Sequence, residues 1–179
     1  MLKIEDTVLV IIDIQGKLAS LMQDKEIIYE NVRRCIKAAE VLSLPILWLE
    51  QNPAHLGTTI SEIAELFPDK KPITKMHFSA YQNETFKRAL TDTTRRQVLL
   101  VGIETHICIY NTARDLLKAG YDIYVVADAV SSRTKENKTI GLQAMLNSGV
   151  KITSTEMALY ELLGTAENPH FKKILKIVK

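Results

Sequence analysis

Short apolar runs recur along the chain, and amphipathic segments of helical period separate them. The runs are VLVII (8–12), PILWL (45–49), VLLVG (98–102), IYVVA (123–127), VKIT (150–153) and the weaker PITK (72–75). Runs that lack polar alternation and are rich in β-branched residues are typical of strands buried on both faces. Because strands and helices alternate, the sequence predicts right-handed βαβ crossovers and a parallel sheet with helices on both faces, a three-layer α/β/α fold.

The segments between the runs show where helices begin and end. Residues 25–43 carry apolar side chains at the spacing of one buried helical face. Three capping boxes predict helix starts: Thr59 with Glu62, Ser79 with Gln82, and Thr153 with Glu156. A helix that begins near Thr105 is predicted to end at Lys118, two residues before Gly120. We find no linker or internal repeat, so residues 1–179 are expected to form one domain.

Composition excludes several function classes. The 23 basic and 21 acidic residues leave a net charge of +2, which provides no general field for a nucleic-acid backbone. No apolar stretch approaches the roughly 20 residues of a membrane span, and the acidic N-terminus does not resemble a secretion signal. No glycine-rich phosphate loop is present. We therefore predict a cytoplasmic protein that binds a small molecule, with no nucleic-acid or membrane partner and no nucleotide cofactor.

Three chemically suggestive side chains lie at the end of an apolar run or soon after it. In a parallel α/β sheet, ligands bind outside the carboxyl ends of the strands, and Asp13, Lys75 and Cys108 are all predicted at that edge. Each also has a purely structural interpretation: Cys108 as a buried apolar residue, Asp13 as a turn cap and Lys75 as an edge-strand charge. The only other cysteine, Cys35, has apolar neighbours at helical spacing and is predicted to belong to the core.

Together the three side chains predict nucleophilic catalysis. A helix N-terminus and a nearby ammonium group both favour a thiolate, so Lys75 is expected to activate Cys108. A carboxylate such as Asp13 can accept the thiol proton and later deliver it to a leaving amine. Backbone N–H groups at the start of the same helix can stabilise an oxyanion.

Three segments carry a family resemblance. They are VLVIIDIQ, ITKMHFSAY and VGIETHICIYNTARDLLKAGYDIYVVADAVSSR. They resemble the isochorismatase-like family of cysteine hydrolases, and the segment EQNPAHLG and the C-terminal sequence look closest to its isochorismatase-domain-containing branch. The resemblance implies a six-stranded parallel sheet in the order 3-2-1-4-5-6 and a homo-oligomer, a dimer or larger.

The resemblance also implies residue roles. Asp13 and Lys75 match the catalytic carboxylate and lysine of the family, and Cys108 matches its nucleophile. A cis peptide bond is expected between Ile103 and Glu104, with the backbone amides of Glu104 and Cys108 as the oxyanion hole.

Two departures from related enzymes narrow the function. Nicotinamidases of the family carry an aspartate and two histidines after the second strand, whereas residues 50–55 here contain one histidine, His55. We therefore predict no metal and no cofactor. Isochorismatases proper cleave a vinyl ether without a cysteine nucleophile, so Cys108 favours attack on a C–N bond.

Further residues near the predicted strand ends are candidates for substrate contact: Gln15, Gln51, Phe78, Tyr81 and His106. Asp128 and Arg133, in the segment ADAVSSR, are expected to pair or to cap rather than to catalyse.

The leading hypothesis is a metal-independent hydrolase that cleaves a C–N bond of a small amide, carbamoyl or ureide compound through a covalent thioester. Two alternatives stay open. One is a non-catalytic oligomeric binding module that retains the hydrolase fold, and the other is a zinc nicotinamidase.

Overall fold

The computed structural model describes residues 1–179 and contains one six-stranded parallel sheet. The strands are β1 (Thr7–Ile12), β2 (Ile46–Gln51), β3 (Ile73–Lys75), β4 (Gln97–Ile103), β5 (Asp122–Ser131) and β6 (Lys151–Thr153). Their spatial order is β3-β2-β1-β4-β5-β6, which confirms the predicted order.

Helices cover both faces of the sheet, as predicted. They are α1 (Gly16–Ser20), α2 (Lys25–Val41), α3 (Pro53–Leu56), α4 (Ser61–Ala64), α5 (Glu84–Asp92), α6 (Tyr110–Lys118), α7 (Lys135–Asn147), α8 (Thr155–Leu163) and α9 (Phe171–Val178). One apolar core lies between the sheet and α2, α8 and α9, and the other lies between the sheet and α5, α6 and α7. None of these helices has the length and apolar character that crossing a membrane would require.

Strand β1 lies inside the sheet, between β2 and β4. This position explains why residues 8–12 are all apolar. Leu9 and Ile11 pack in the α2 core, while Val8, Val10 and Ile12 pack in the α5 core. Successive side chains of a strand point to opposite faces, so a strand covered on both faces favours apolar residues along its length. The next residue, Asp13, is the first one free of that constraint.

Two of the predicted capping boxes are displaced in the structure. The Oγ1 of Thr59 donates to Glu50 Oε1 at 2.7 Å instead of capping a helix, and α4 begins only at Ser61. At α8 the cap is Ser154, whose Oγ accepts from the Met157 N–H, one residue after the predicted Thr153.

The third box precedes a short 3₁₀ turn (Ala80–Gln82), and Ser79 makes no side-chain cap there. Asn83 caps the following helix, α5, by accepting from the Phe86 N–H at 2.9 Å. The helix predicted from Thr105 begins with a π-helical turn (Thr105–Ile109) that continues into α6.

Strand β5 is twice as long as its apolar run. It extends to Ser131, and its pairing with β4 shifts register between Leu100 and Gly102. Asp128 lies in this extension, and its carboxylate caps α8 by accepting from the N–H and the hydroxyl of Thr155. The predicted strand stopped before Asp128, because the sequence does not show that this carboxylate finds hydrogen-bond donors at the start of a helix.

Candidate active site

The structure brings Asp13, Lys75 and Cys108 together at the carboxyl edge of the sheet. Asp13 follows β1, Lys75 is the last residue of β3, and Cys108 lies in the π-helical turn after β4. The Nζ of Lys75 donates to Asp13 Oδ2 at 2.6 Å. Cys108 is close enough to both side chains that each influences the pKa of its thiol.

Lys75 is a fully buried ammonium group whose donors are all engaged. Its side chain is 0% exposed, and besides Asp13 it donates to Gln51 Oε1 at 2.6 Å and to the carbonyl of His77 at 3.3 Å. An ammonium group has three donors, so this site satisfies it completely. The Nε2 of Gln51 donates in turn to the carbonyl of Met76. Both ends of the Gln51 amide are therefore committed to positioning Lys75 and its strand.

Asp13 has a left-handed backbone conformation and one carboxylate oxygen that accepts no hydrogen bond. Its φ of +54° lies in the left-handed region, which aspartate tolerates better than most residues. This conformation turns the chain at the end of β1, where the carbonyl of Asp13 accepts from the Gln15 N–H at 2.8 Å. The second carboxylate oxygen, Oδ1, is buried and has no hydrogen-bond partner of ordinary geometry. It is thus available to accept a proton.

Burial raises the pKa of Asp13 above its ordinary value, and the charge of Lys75 opposes that rise. A buried carboxylate with a raised pKa is a stronger base than a solvated one. The charge of Lys75 favours its ionised form. The pair is therefore suited to take up and release a proton.

Cys108 does not match the expectation of an activated thiolate in the resting site. Burial, followed by the negative charge of Asp13, raises the pKa of its thiol to about 12, and Lys75 only partly offsets these effects. Lys75 favours the thiolate, as predicted, but desolvation and the charge of Asp13 outweigh it, so the pKa of the thiol lies above its ordinary value. The resting site holds a thiol beside a base.

A cavity of about 100 Å³ opens beside this group. Nine residues line it: Asp13, Leu18, Gln51, Leu56, Phe78, Ile103, Glu104, Ile107 and Cys108. Typical drug-sized sites measure about 300 to 1,000 Å³, so this one suits only a small molecule.

Glu104 shapes the wall nearest the π-helical turn. The peptide bond between Ile103 and Glu104 is cis. The backbone N–H of Glu104 donates no hydrogen bond within the protein, whereas its carbonyl accepts from the N–H groups of Ile107 and Ile109. Its carboxylate Oε2 accepts from the backbone N–H of Arg133 at 3.2 Å and from Arg133 Nε at 3.1 Å.

Three of the five predicted substrate contacts lie outside the cavity wall. Gln15 is fully buried, and its amide binds the backbone of Gln51 and the carbonyl of Gly57, so it holds β2 to the following loop. The Tyr81 ring packs against Tyr121 on another part of the surface. The Nδ1 of His106 pairs with the Ser132 hydroxyl at 2.9 Å. In each case another partner engages the side chain.

Three apolar residues of the cavity wall were not predicted from the sequence. Leu18 lies in α1, Leu56 ends α3, and Ile107 directly precedes Cys108. Leu56 carried a usable signal, because it is the only large apolar residue in the otherwise polar segment 50–58. The other two look like ordinary helix residues.

No group of three or more histidine, cysteine, aspartate or glutamate side chains lies close enough to hold a metal ion. His55 is exposed, and its Nδ1 lies 3.2 Å from Asn52 Oδ1.

The family model for the isochorismatase domain matches residues 7–157. This chain belongs to the isochorismatase family. Among curated isochorismatase-family proteins, it is 39% identical over 177 residues to the secreted isochorismatase effector Isc1 of Phytophthora sojae, a match that covers 97% of this chain and 84% of that protein. It is 38% identical over 172 residues to isochorismatase domain-containing protein 2 of Xenopus laevis, which covers 96% of this chain and 83% of that protein.

Solved structures show the same isochorismatase-family fold. The structure of MAR1 ribonuclease from Caenorhabditis elegans superimposes with a TM-score of 0.92 at 33% identity and covers 99% of this chain and 91% of that one. YcaC from Pseudomonas aeruginosa, solved with hexane-2,5-diol and covalent acrylamide, gives a TM-score of 0.91 at 24% identity, with 98% and 90% covered. The chain therefore has an isochorismatase-family hydrolase fold.

Proposed function

We propose that this isochorismatase-family protein is a cysteine hydrolase that cleaves a C–N bond of a small amide, carbamoyl or ureide compound through a thioester. The observation that carries the proposal is the buried ion pair of Asp13 and Lys75 in contact with Cys108, at the wall of a small cavity. Buried charges are costly unless they are paired, and perturbed titratable groups in a cleft are typical of active sites.

The first half-reaction forms the thioester. Asp13 accepts the thiol proton of Cys108 as the sulfur attacks the substrate carbonyl carbon, so no free thiolate has to accumulate. The new S–C bond pushes an electron pair onto the carbonyl oxygen, and the backbone N–H groups of Glu104 and Cys108 stabilise that oxyanion. Asp13 then returns its proton to the nitrogen, and the C–N bond breaks with departure of ammonia or an amine.

The second half-reaction restores the enzyme. A water molecule enters the position of the departed amine, and Asp13 removes its proton as the oxygen attacks the thioester carbonyl. The C–S bond breaks, the acid leaves, and Cys108 regains its proton from Asp13. Lys75 transfers no proton in this scheme, and its charge holds Asp13 ionised and in position.

The size and lining of the cavity support a small amide over a larger substrate. About 100 Å³ cannot enclose a nucleotide, and no lysine or arginine lines the wall to bind a phosphate. The covalent acrylamide in the solved structure of Pseudomonas aeruginosa YcaC is a compound of the size and class proposed here.

We also propose that the protein is a homo-oligomer. A structural relative, YcaC of Escherichia coli, is described as an octameric hydrolase. Light scattering coupled to size-exclusion chromatography tests this directly, and a mass equal to one 20.2 kDa chain would overturn it.

The experiment for the catalytic proposal offers the purified protein a panel of short primary amides, carbamates and ureides. Released ammonia is measured, and intact-protein and peptide mass spectrometry locates any acyl adduct. We expect turnover and an adduct on Cys108. Turnover that persists in Cys108→Ala, or an adduct on Cys35, would overturn the proposal. If the wild type and Cys108→Ala behave identically while one compound raises the melting temperature of both, the protein is a binding module.

A further inference from the structure

The cavity wall carries negative charge and no positive charge. Two of its nine lining residues, Asp13 and Glu104, are carboxylates, and none is a lysine, arginine or histidine. These two carboxylates differ in how their charges are balanced.

The charge of Asp13 is balanced by a buried residue, Lys75. Its partner Lys75 is fully buried and lies 2.6 Å away, so the pair is neutral as seen from the cavity. Because both members lie in the same desolvated environment, neither charge is screened separately by water.

The charge of Glu104 is balanced by a half-exposed residue, Arg133. Its side chain is 6% exposed, whereas that of Arg133 is 53% exposed at a distance of 3.1 Å. Solvent screens a half-exposed guanidinium group far more than it screens a buried carboxylate. A ligand in the cavity therefore experiences Glu104 as a net negative charge.

Outside the proposed oxyanion hole, the remaining wall offers an anion no free side-chain donor. Apart from Asp13, Gln51, Glu104 and Cys108, the lining residues are all aliphatic or aromatic, and the Gln51 amide is already committed to Lys75 and Met76. A carboxylate on the ligand that lies outside the proposed oxyanion hole would lose its hydration without gaining a side-chain donor, and it would lie near a like charge.

We propose that Glu104 is a specificity-determining residue that restricts the site to small uncharged amides with a short apolar acyl group, and that Arg133 limits the strength of this restriction. The identity of the ligand as an amide rests on the proposed function. The selection by charge does not, because it applies to any small molecule that reaches Cys108.

The test uses iodoacetamide and iodoacetate, which have nearly the same size and differ in charge. Each alkylates a thiol: the S–C bond forms, the C–I bond breaks, iodide leaves, and the thiol proton passes to solvent. The rates at Cys108 are measured by peptide mass spectrometry, and their ratio is divided by the ratio for free cysteine under the same conditions. For the wild type we expect this normalised preference for the amide to be about tenfold or more.

Two variants move the preference in opposite directions. In Glu104→Gln the preference should fall to within about threefold of free cysteine, because the unscreened charge is gone. In Arg133→Gln it should rise above the wild-type value, because Glu104 loses its counter-charge and keeps the backbone N–H of residue 133. A merely structural role would change both alkylation rates in proportion and leave their ratio constant.

The matched control is Asp122→Asn, which removes the carboxylate of the exposed ion pair with Lys151 at the start of β5, the opposite edge of the sheet. It should leave the preference unchanged. Should Glu104→Gln fail to fold, the predicted rise in Arg133→Gln still tests the inference. A wild-type ratio equal to that of free cysteine, or no change in either variant, would overturn it.

The outcomes also separate this inference from the proposed function. If no amide is hydrolysed but the alkylation preference follows Glu104 and Arg133 as predicted, the function is wrong and the charge selection stands. If amides are hydrolysed but the preference is independent of both residues, the function stands and the charge selection is wrong.

Discussion

The two cysteines have almost the same burial and very different surroundings. Cys35 is 2% exposed and Cys108 is 7% exposed, and burial is the largest cause that raises the pKa of each thiol to about 12. Cys35 lies among apolar residues of the α2 core, whereas Cys108 borders a cavity and contacts a buried acid–base pair. Neither burial nor thiol pKa therefore distinguishes the two cysteines. An adjacent proton acceptor and room for a substrate are what favour Cys108 as the proposed nucleophile.

The largest expected effect comes from removing one thiol at a time. Cys108→Ala should lower amide hydrolysis by on the order of 10³-fold or more, because the thioester can no longer form. Cys35→Ala should keep wild-type activity, because no cavity reaches it. Ammonia release by the two purified variants measures the difference in amide hydrolysis. Equal losses of activity in both variants would show that the two cysteines do not differ in function.

The second expected effect concerns the charge pair that only Cys108 contacts. Lys75→Met leaves Asp13 buried without its partner, and breaking a buried pair from one side costs about 3 to 5 kcal/mol of the free energy of unfolding. The matched exposed variant Lys151→Met, which breaks the pair with Asp122, should cost less than about 1 kcal/mol. Urea unfolding of both variants checks this. A loss at Lys75 as small as that at Lys151 would contradict the assigned burial.

A third test separates the thiol pKa from catalysis. The negative charge of Asp13 raises the pKa of Cys108, so Asp13→Asn should lower it from about 12, while hydrolysis is lost with the proton acceptor. More thiolate and less activity in the same variant would show that Asp13 acts by moving the proton. Ultraviolet thiolate absorbance across a pH titration, in a Cys35→Ala background, measures the change. An unchanged or higher pKa would contradict the contact.

A more modest effect than that of Lys75→Met is expected in the core. Cys35→Ala removes one buried sulfur atom and should lower the free energy of unfolding by about 1 to 2 kcal/mol. Urea unfolding measures it. If the free energy of unfolding fell as much as in Lys75→Met, Cys35 would have to contribute more than apolar packing.

Much of the fold followed from the sequence because buried parallel strands leave a clear record. The run 8–12 is apolar at every position, and all six residues of β1 are buried in the structure. The extension of β5 through Asp128 was missed because its polar residue is satisfied by α8, a partner far along the chain.

The candidate site was predictable to a different extent for each residue. Asp13, Lys75 and Cys108 lie at strand ends or soon after them, and parallel topology places strand ends at one edge. Gln15 and His106 also follow strand ends, yet their side chains bind Gln51 and Ser132 instead of lining the cavity. Position along a strand fixes where a residue lies, whereas the direction of its polar atoms depends on which distant partners it meets.

The sequence by itself determined the sheet, its alternating helices and the meeting of a carboxylate, an ammonium group and a thiol at one edge, because these follow from local periodicity and strand topology. Only the tertiary structure decided that burial and Asp13 raise the pKa of the Cys108 thiol, that Gln51 positions Lys75, and that Glu104 lies at the cavity wall paired with Arg133. Those properties depend on desolvation and on distances between residues remote in sequence, and electrostatic free energies are sensitive to both.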